Sequence, residues 1–126
     1  MPQPNALRCL VVDDEPRLRR VLVRLLEGEG FTCLEAGSGV EALEQLLEST
    51  PDLFLLDVEM PNLNGYDLLS IIGLYPELAT VKIVMLTSRS SDKHRQRAHD
   101  LGAHAYLVKP CHQDTLLATI QTLLTR

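Results

Sequence analysis

The chain has 126 residues, 45% of them hydrophobic and 23% charged, with a formal net charge of −5. That length fits one domain with a real hydrophobic core, and the acidic balance argues against nonspecific nucleic-acid binding by the domain as a whole. No apolar run reaches the length of a membrane span, no signal peptide opens the chain, and three widely spaced cysteines do not form a disulfide framework, so a reduced, cytoplasmic setting is expected.

Residues 1–6 are polar and carry two prolines, which reads as a loose leader to a folded unit over residues 7–126. Residues 7–12 form the first expected strand, closed by Asp13, Asp14, Glu15 and Pro16. Acids followed by proline mark a helix start. The helix that follows has Leu18, Val21, Leu22, Leu25 and Leu26 at i, i+3, i+4, i+7 and i+8, an apolar stripe expected to face inward. Gly28 and Gly30 stop it. Residues 31–36 read as a second strand, mixed enough in polarity for a sheet edge. A second helix then places Val40, Leu43, Leu46 and Leu47 inward and Glu41, Glu44 and Glu48 outward.

Leu53, Phe54, Leu55 and Leu56 are a short apolar run between Pro51 and the loop Pro61, Asn62, Leu63, Asn64, Gly65. Periodicity alone leaves strand and helix open for such a run, but the flanking breakers favour a buried strand. Asp57 ends it, and a carboxylate at that rim is costly unless solvent, a cation or hydrogen bonds meet it. A third helix follows around residues 66–74, then a fourth strand at 81–86 ending at Thr87 and Ser88. The fourth helix, residues 92–101, has only Ala98 and Leu101 as clear apolar residues, so it should be the least firmly anchored. A fifth strand at 105–108 ends at Lys109 and Pro110, and Leu116, Leu117, Ile120, Leu123 and Leu124 line the last helix.

Five strands alternating with five helices make an α/β fold, a doubly wound parallel sheet covered on both faces. Ligands in such folds bind outside the carboxyl ends of the strands. That edge collects Asp13, Asp14, Asp57, Thr87, Ser88 and Lys109. Three neighbouring carboxylates do not all ionise comfortably without cations. Lys109 supplies one positive charge, and a hard divalent ion held by oxygen ligands, Mg²⁺ above all, would balance the rest. A carboxylate beside a metal and a lysine is equipped to accept a phosphoryl group, with the Thr87 hydroxyl placed to bond a phosphoryl oxygen.

The pieces Val11-Val12-Asp13-Asp14-Glu15, Leu56-Asp57-Val58-Glu59-Met60-Pro61 with Gly65, Leu86-Thr87-Ser88 and Tyr106-Leu107-Val108-Lys109-Pro110 together resemble the receiver domains of two-component response regulators, over essentially the whole chain. The resemblance implies a flavodoxin-like sheet with strand order 2-1-3-4-5. It implies that Asp57 takes a phosphoryl group from a phosphohistidine on a histidine kinase or histidine phosphotransfer protein, and that Asp14, Asp57 and the Glu59 backbone carbonyl ligate Mg²⁺ with Asp13 assisting through water. Lys109, in a cis Lys-Pro bond, would pair with Asp57. Thr87 and Tyr106 would be the switch pair that relays phosphorylation to a downstream target protein, with catalysis limited to the domain's own phosphorylation and dephosphorylation.

Three positions depart from or vary within that pattern. Ser88 stands where the family usually has alanine, and the variable positions beside the site hold Glu59 and Arg89, expected to approach each other across its mouth and slow loss of the phosphoryl group. Arg17, Arg20 and Arg24 on the first helix make either a solvated face or a docking surface for the phosphodonor. The stretch from Thr87 to Ala98 resembles receivers attached to hybrid chemotaxis-type kinases, although Cys111 departs from the aromatic-containing sequence such receivers often show after Lys-Pro.

Each site residue alone has a plain explanation: Asp13 and Asp14 as helix-capping acids, Asp57 as a turn residue, Lys109 as a solvated lysine, Tyr106 as strand packing. Capping and turn chemistry do not ask for all of them on one edge. His94, His99, His104 and His112 form no convincing metal set and read as surface residues. The rival functions are a pseudo-receiver scaffold, disfavoured because every acid and the lysine are kept, and an aspartyl-phosphate phosphatase. The phosphatase commonly carries a second Asp where this chain has Glu59. No helix-turn-helix follows, so direct nucleic-acid contact is not expected.

Overall fold

The computed structural model describes residues 6–125, so the expected leader lies outside the described residues except for Ala6. The elements are β1 (Arg8–Val12), α1 (Pro16–Gly28), β2 (Thr32–Ala36), α2 (Gly39–Glu48), β3 (Leu53–Asp57), α3 (Gly65–Ile72), a single 3₁₀ turn (Pro76–Leu78), β4 (Lys82–Thr87), α4 (Asp92–Asp100), β5 (Ala105–Val108) and α5 (Gln113–Leu124). All strand pairs are parallel, in the order β2-β1-β3-β4-β5. Among the described residues no helix is long and apolar enough to cross a membrane.

The central strands explain this order. Every residue of β3 is buried, and β4 is buried from Ile83 onward, as expected for strands covered on both faces. Alternation then divides the core. Leu10, Val12, Phe54, Leu56 and Met85 face one side, packed with Ala42, Leu68 and Leu69. Val11, Leu53, Leu55 and Val84 face the other, packed with Leu26 and Ile120. At the sheet edge, β2 alternates between exposed and half-buried residues up to the buried Ala36, in keeping with its mixed sequence.

Two helices keep only part of their expected inward stripe: Leu22, Leu25 and Leu26 on α1 and Leu43 and Leu46 on α2 pack on the core, while the other stripe residues do not. On α1, Val23 and Leu26 are buried, whereas Leu18 and Val21 are 52% and 63% exposed. Val23, absent from the expected stripe, is buried with Leu26. On α2, Ala42 and Leu46 are buried while Val40 and Leu47 lie exposed. The helix α4 buries only Ala98, as its thin apolar face implied.

The loops at the carboxyl edge are fixed by local hydrogen bonds. Glu15, Ser38, Asn64 and Ser91 cap α1, α2, α3 and α4 through their side chains, and Pro16 occupies the first turn of α1. After β3, Asn62 adopts a left-handed conformation with φ 67°, which asparagine tolerates better than most residues. Gly65 then lets α3 start hard against the preceding loop. A Cβ there would lie 2.9 Å from Val58 Cα, so any side chain would displace the segment carrying Asp57 and Glu59.

Candidate functional site

Sheet register assembles the site. Val12 and Leu56 are partners across β1 and β3, which puts Asp13 beside Asp57, and Asp57 pairs with Leu86, one residue before Thr87. Thr87 pairs with Val108 on β5, and the Lys109 amide donates to the Thr87 carbonyl at 2.7 Å. Asp13, Asp57 and Thr87 are the buried polar residues among those described. Their cost is met at once: Asp13 accepts from the Glu15 amide at 2.9 Å, Asp57 from the Glu59 amide at 3.3 Å, and no buried side-chain polar atom among the described residues is left without a partner.

The Lys109 ammonium lies 2.9 Å from Asp57 Oδ1 and 3.9 Å from Glu59 Oε2. The Lys109–Pro110 peptide is cis. Asp13, Asp14 and Asp57 each offer a carboxylate oxygen, and these oxygens lie within 4.8 Å of one another. Two of the three are buried and Asp14 is exposed. A cluster of hard oxygen donors of this size and charge fits a divalent cation of the Mg²⁺ type.

The electrostatics follow from burial and crowding. Burial, together with the Asp13 charge, pushes the Asp57 carboxyl up to about 6 in spite of Lys109, whose hydrogen bond and charge pull it down. Burial also raises Asp13. Lys109 loses solvent, but the hydrogen bond and charge of Asp57, with Asp13 and Glu59 behind it, outweigh that loss and raise its pKa. The site without a cation therefore holds more negative charge than its surroundings can comfortably screen.

Glu59 behaves differently from expectation. Its Oε1 accepts from the Thr87 hydroxyl at 2.5 Å, the Ser88 amide at 2.8 Å and the Ser88 hydroxyl at 2.9 Å. Burial works against its charge, yet the bonds from Thr87 and Ser88 prevail and lower its pKa. The expected approach of Glu59 to Arg89 is not seen: no ion pair joins them among the described residues, although both line one cleft with Asn64, Tyr66 and Arg97. The Arg89 amide instead bonds Thr87 Oγ1 at 3.1 Å, and its guanidinium reaches His94 Nε2 at 3.3 Å. Three donors from one turn outcompete a single flexible guanidinium whose own loop points it toward α4.

Tyr106 is half-buried. Its hydroxyl donates to the Arg89 carbonyl at 2.7 Å and lies 3.4 Å from the Tyr66 hydroxyl, while the Arg95 guanidinium sits 5.2 Å from its ring centre. Tyr66, at the start of α3, carries no signature in the sequence that marks it as part of the site. It is buried, its hydroxyl is driven to a higher pKa by burial and by Tyr106, and the Arg97 guanidinium lies 4.4 Å over its ring. Of the four histidines, His99, His104 and His112 are exposed as expected, and His94 is the exception. His94 is half-buried, bonded to Ser91 and 6.4 Å from the Tyr66 ring centre. His104 accepts from the Ile83 amide at 3.0 Å, and His112 caps α5 through the Asp114 amide. No set of three of them forms a metal cluster among the described residues.

Arg17, Arg20 and Arg24 are exposed on α1, on the side that also exposes Leu18 and Val21. Arg19, between them, turns inward to Glu35 at 2.9 Å and to the Asp13 carbonyl at 2.7 Å. A groove beside this face is lined by Leu18, Val21, Leu22, Cys111 and Leu116 and opens at Asp13 and Lys109.

Comparison with known proteins agrees with this geometry. Residues 9–121 match the family model of the response regulator receiver domain. The transcriptional regulatory protein CpxR of Escherichia coli strain K12 is 40% identical over 119 residues, covering 94% of this chain and 50% of its own length. A gliding motility regulatory protein of Myxococcus xanthus is 38% identical over 108 residues, which are 86% of this chain and 14% of that protein. The signal receiver domain of a signal transduction histidine kinase from Syntrophus aciditrophicus superposes with a TM-score of 0.87 at 32% identity, covering 95% of this chain and 91% of that one. The chain belongs to the response regulator receiver domain family, with the strand order 2-1-3-4-5 of that fold. It spans about half the length of several of the curated relatives it matches.

Proposed function

We propose that this receiver domain is a phosphoacceptor switch with Asp57 as the acceptor. The observation that carries the reading is the contact between Lys109 and Asp57 at 2.9 Å inside a cluster that also holds Asp13, Asp14 and the buried Thr87. An Asp57 oxygen attacks the phosphorus of a phosphohistidine, the new O–P bond forms as the P–N bond breaks, and the imidazole leaves with the electron pair. Lys109 holds the acceptor oxygen and then screens the phosphoryl oxygens, while Thr87 and the Ser88 amide supply donors to them. Asp13, Asp14, Asp57 and the Glu59 carbonyl would hold Mg²⁺, which when bound neutralises charge between carboxylates and phosphoryl oxygens.

Relay to a partner runs through the Thr87 to Ser91 loop and α4. Thr87 Oγ1 bonds the Arg89 amide and Tyr106 bonds the Arg89 carbonyl, so a movement of Thr87 is felt at the loop and at Tyr106 together. α4 has little core to resist that movement. Ser88, Arg89 and Glu59 set how readily the phosphoryl group is gained and lost. The phosphodonor is a histidine kinase or phosphotransfer protein that docks on α1, where Arg17, Arg20 and Arg24 flank the exposed Leu18 and Val21 beside the groove leading to Lys109. The functional unit is residues 7–126, acting in the cytoplasm by protein contacts.

Addition of Mg²⁺ and beryllofluoride, followed by amide NMR, tests the switch. Changes centred on Asp57, Thr87 and the Arg89 loop are expected, and an unchanged spectrum overturns the reading.

A further inference from the structure

Ser88 and Glu59 are two of the three residues at the site that the general pattern leaves unexplained, and the structure joins them. One Glu59 oxygen collects the Thr87 hydroxyl, the Ser88 amide and the Ser88 hydroxyl at 2.5, 2.8 and 2.9 Å. The other oxygen faces the Lys109 ammonium at 3.9 Å. A phosphoryl group on Asp57 is a dianionic set of three acceptor oxygens that needs donors from this same corner of the site: a hydroxyl, a backbone N–H and an ammonium. The Glu59 carboxylate already occupies the hydroxyl and the N–H and faces the ammonium, which bonds Asp57.

We propose that Glu59 is an internal stand-in for the phosphoryl group, a positioning residue that must leave Thr87 and Ser88 before Asp57 can be stably phosphorylated. This deepens the phosphoacceptor reading and rests on it. Several features follow without further assumption. The Ser88 hydroxyl, an extra donor where the pattern has alanine, strengthens the hold on Glu59. The Arg89 amide, bonded to the same Thr87 hydroxyl, keeps the loop in one arrangement while Glu59 is seated. When the phosphoryl group arrives, one anion replaces another on the same donors, so the energetic gain of switching is the difference between two anions and not the full worth of the new bonds. Glu59 is half-buried at the mouth of a cleft of about 410 Å³ shared with Arg89 and Arg97, which gives the displaced carboxylate a place to go and cations to meet.

The test uses the full chain with Mg²⁺, measuring beryllofluoride affinity by NMR titration and the rate of Asp57 phosphorylation by acetyl phosphate. In that second reaction an Asp57 oxygen displaces acetate from phosphorus. Glu59→Gln keeps the size of the side chain but weakens its hold on the donors, and it should raise both affinity and rate about tenfold, the scale of losing charge-assisted bonds at a partly exposed site. Ser88→Ala should give a smaller rise of the same sign in the parent background and none in the Glu59→Gln background, since the hydroxyl acts through Glu59. A mere structural role would move the melting temperature without this pattern of non-additivity. Unchanged or weaker beryllofluoride binding in Glu59→Gln, with the parent binding normally, overturns the stand-in. Adduct formation in Glu59→Gln but not in the parent supports it in its strongest form. Absence of any adduct in every variant overturns the phosphoacceptor reading and the stand-in with it.

Discussion

The Tyr106 hydroxyl donates to the Arg89 backbone carbonyl at 2.7 Å, so the last strand of the sheet holds the loop that carries the residues after Thr87. The tie joins a rigid element to a segment leading into α4, whose only buried residue is Ala98. Tyr106→Phe removes the donor and keeps the ring. Global stability should fall by about 0.5–1.5 kcal/mol, while amide hydrogen exchange over residues 88–94 should rise more than elsewhere. Uniform exchange changes across the chain would show that the bond does not tether the loop.

Titration of Asp57 gives a signed expectation in Mg²⁺-free buffer. Its folded-state pKa of about 6 lies above the ordinary 3.8, so the folded chain holds that proton more tightly than the unfolded chain does. The stability this contributes is fully present below about pH 4 and is lost as the pH rises through about 6. Asp57→Asn removes the titration. The unfolding free energy of the variant relative to the parent should therefore climb between about pH 4 and pH 7, by on the order of 2–3 kcal/mol. Parallel pH profiles for the two proteins would contradict the burial of an uncompensated charge.

Metal addition should reverse that cost. At a hundredfold excess over its dissociation constant, Mg²⁺ should stabilise the fold by about 2.7 kcal/mol. Asp14 is exposed and makes no contribution to the core, so Asp14→Asn should fold normally and lose most of the Mg²⁺ effect in thermal unfolding. Full Mg²⁺ stabilisation in that variant would place the ion elsewhere.

The observed packing of α1 makes a contrast between two aliphatic positions. Leu26→Ala should destabilise by about 2–5 kcal/mol, whereas Val21→Ala should change stability by no more than about 0.5 kcal/mol. Denaturant unfolding separates them. If α1 is the phosphodonor face, Val21→Ala should nevertheless slow transfer from a histidine donor while leaving phosphorylation by acetyl phosphate unchanged.

These contrasts mark where the amino-acid sequence is informative. The five strands were legible because β3 and β4 are short apolar runs bounded by proline, glycine and polar breakers, and parallel burial leaves no other role for them. The meeting of Asp13, Asp57, Thr87 and Lys109 was legible for a related reason: strand ends in a parallel sheet share one edge whatever the loops do. The buried set on each helix was less so. Leu18, Val21, Leu22, Leu25 and Leu26 satisfy an inward stripe on α1, and only packing against the sheet decides that Val23 and Leu26 are the buried ones. The partner of Glu59 was hidden for another reason. Opposite charge pointed to Arg89, while the winning donors include the Ser88 backbone N–H, which any residue but proline would have supplied. Tyr66 was hidden because its contact with Tyr106 spans α3 and β5 and leaves no spacing signature.

The most direct measurement of the central claim is the mass of the intact chain after incubation with acetyl phosphate and Mg²⁺, followed by mapping of the modified residue. One phosphoryl group on Asp57 is expected, labile as an acyl phosphate, lost when Mg²⁺ is chelated before the reaction and absent in Asp57→Asn. An unmodified chain, or a modification that persists in Asp57→Asn, would contradict Asp57 as the phosphoacceptor.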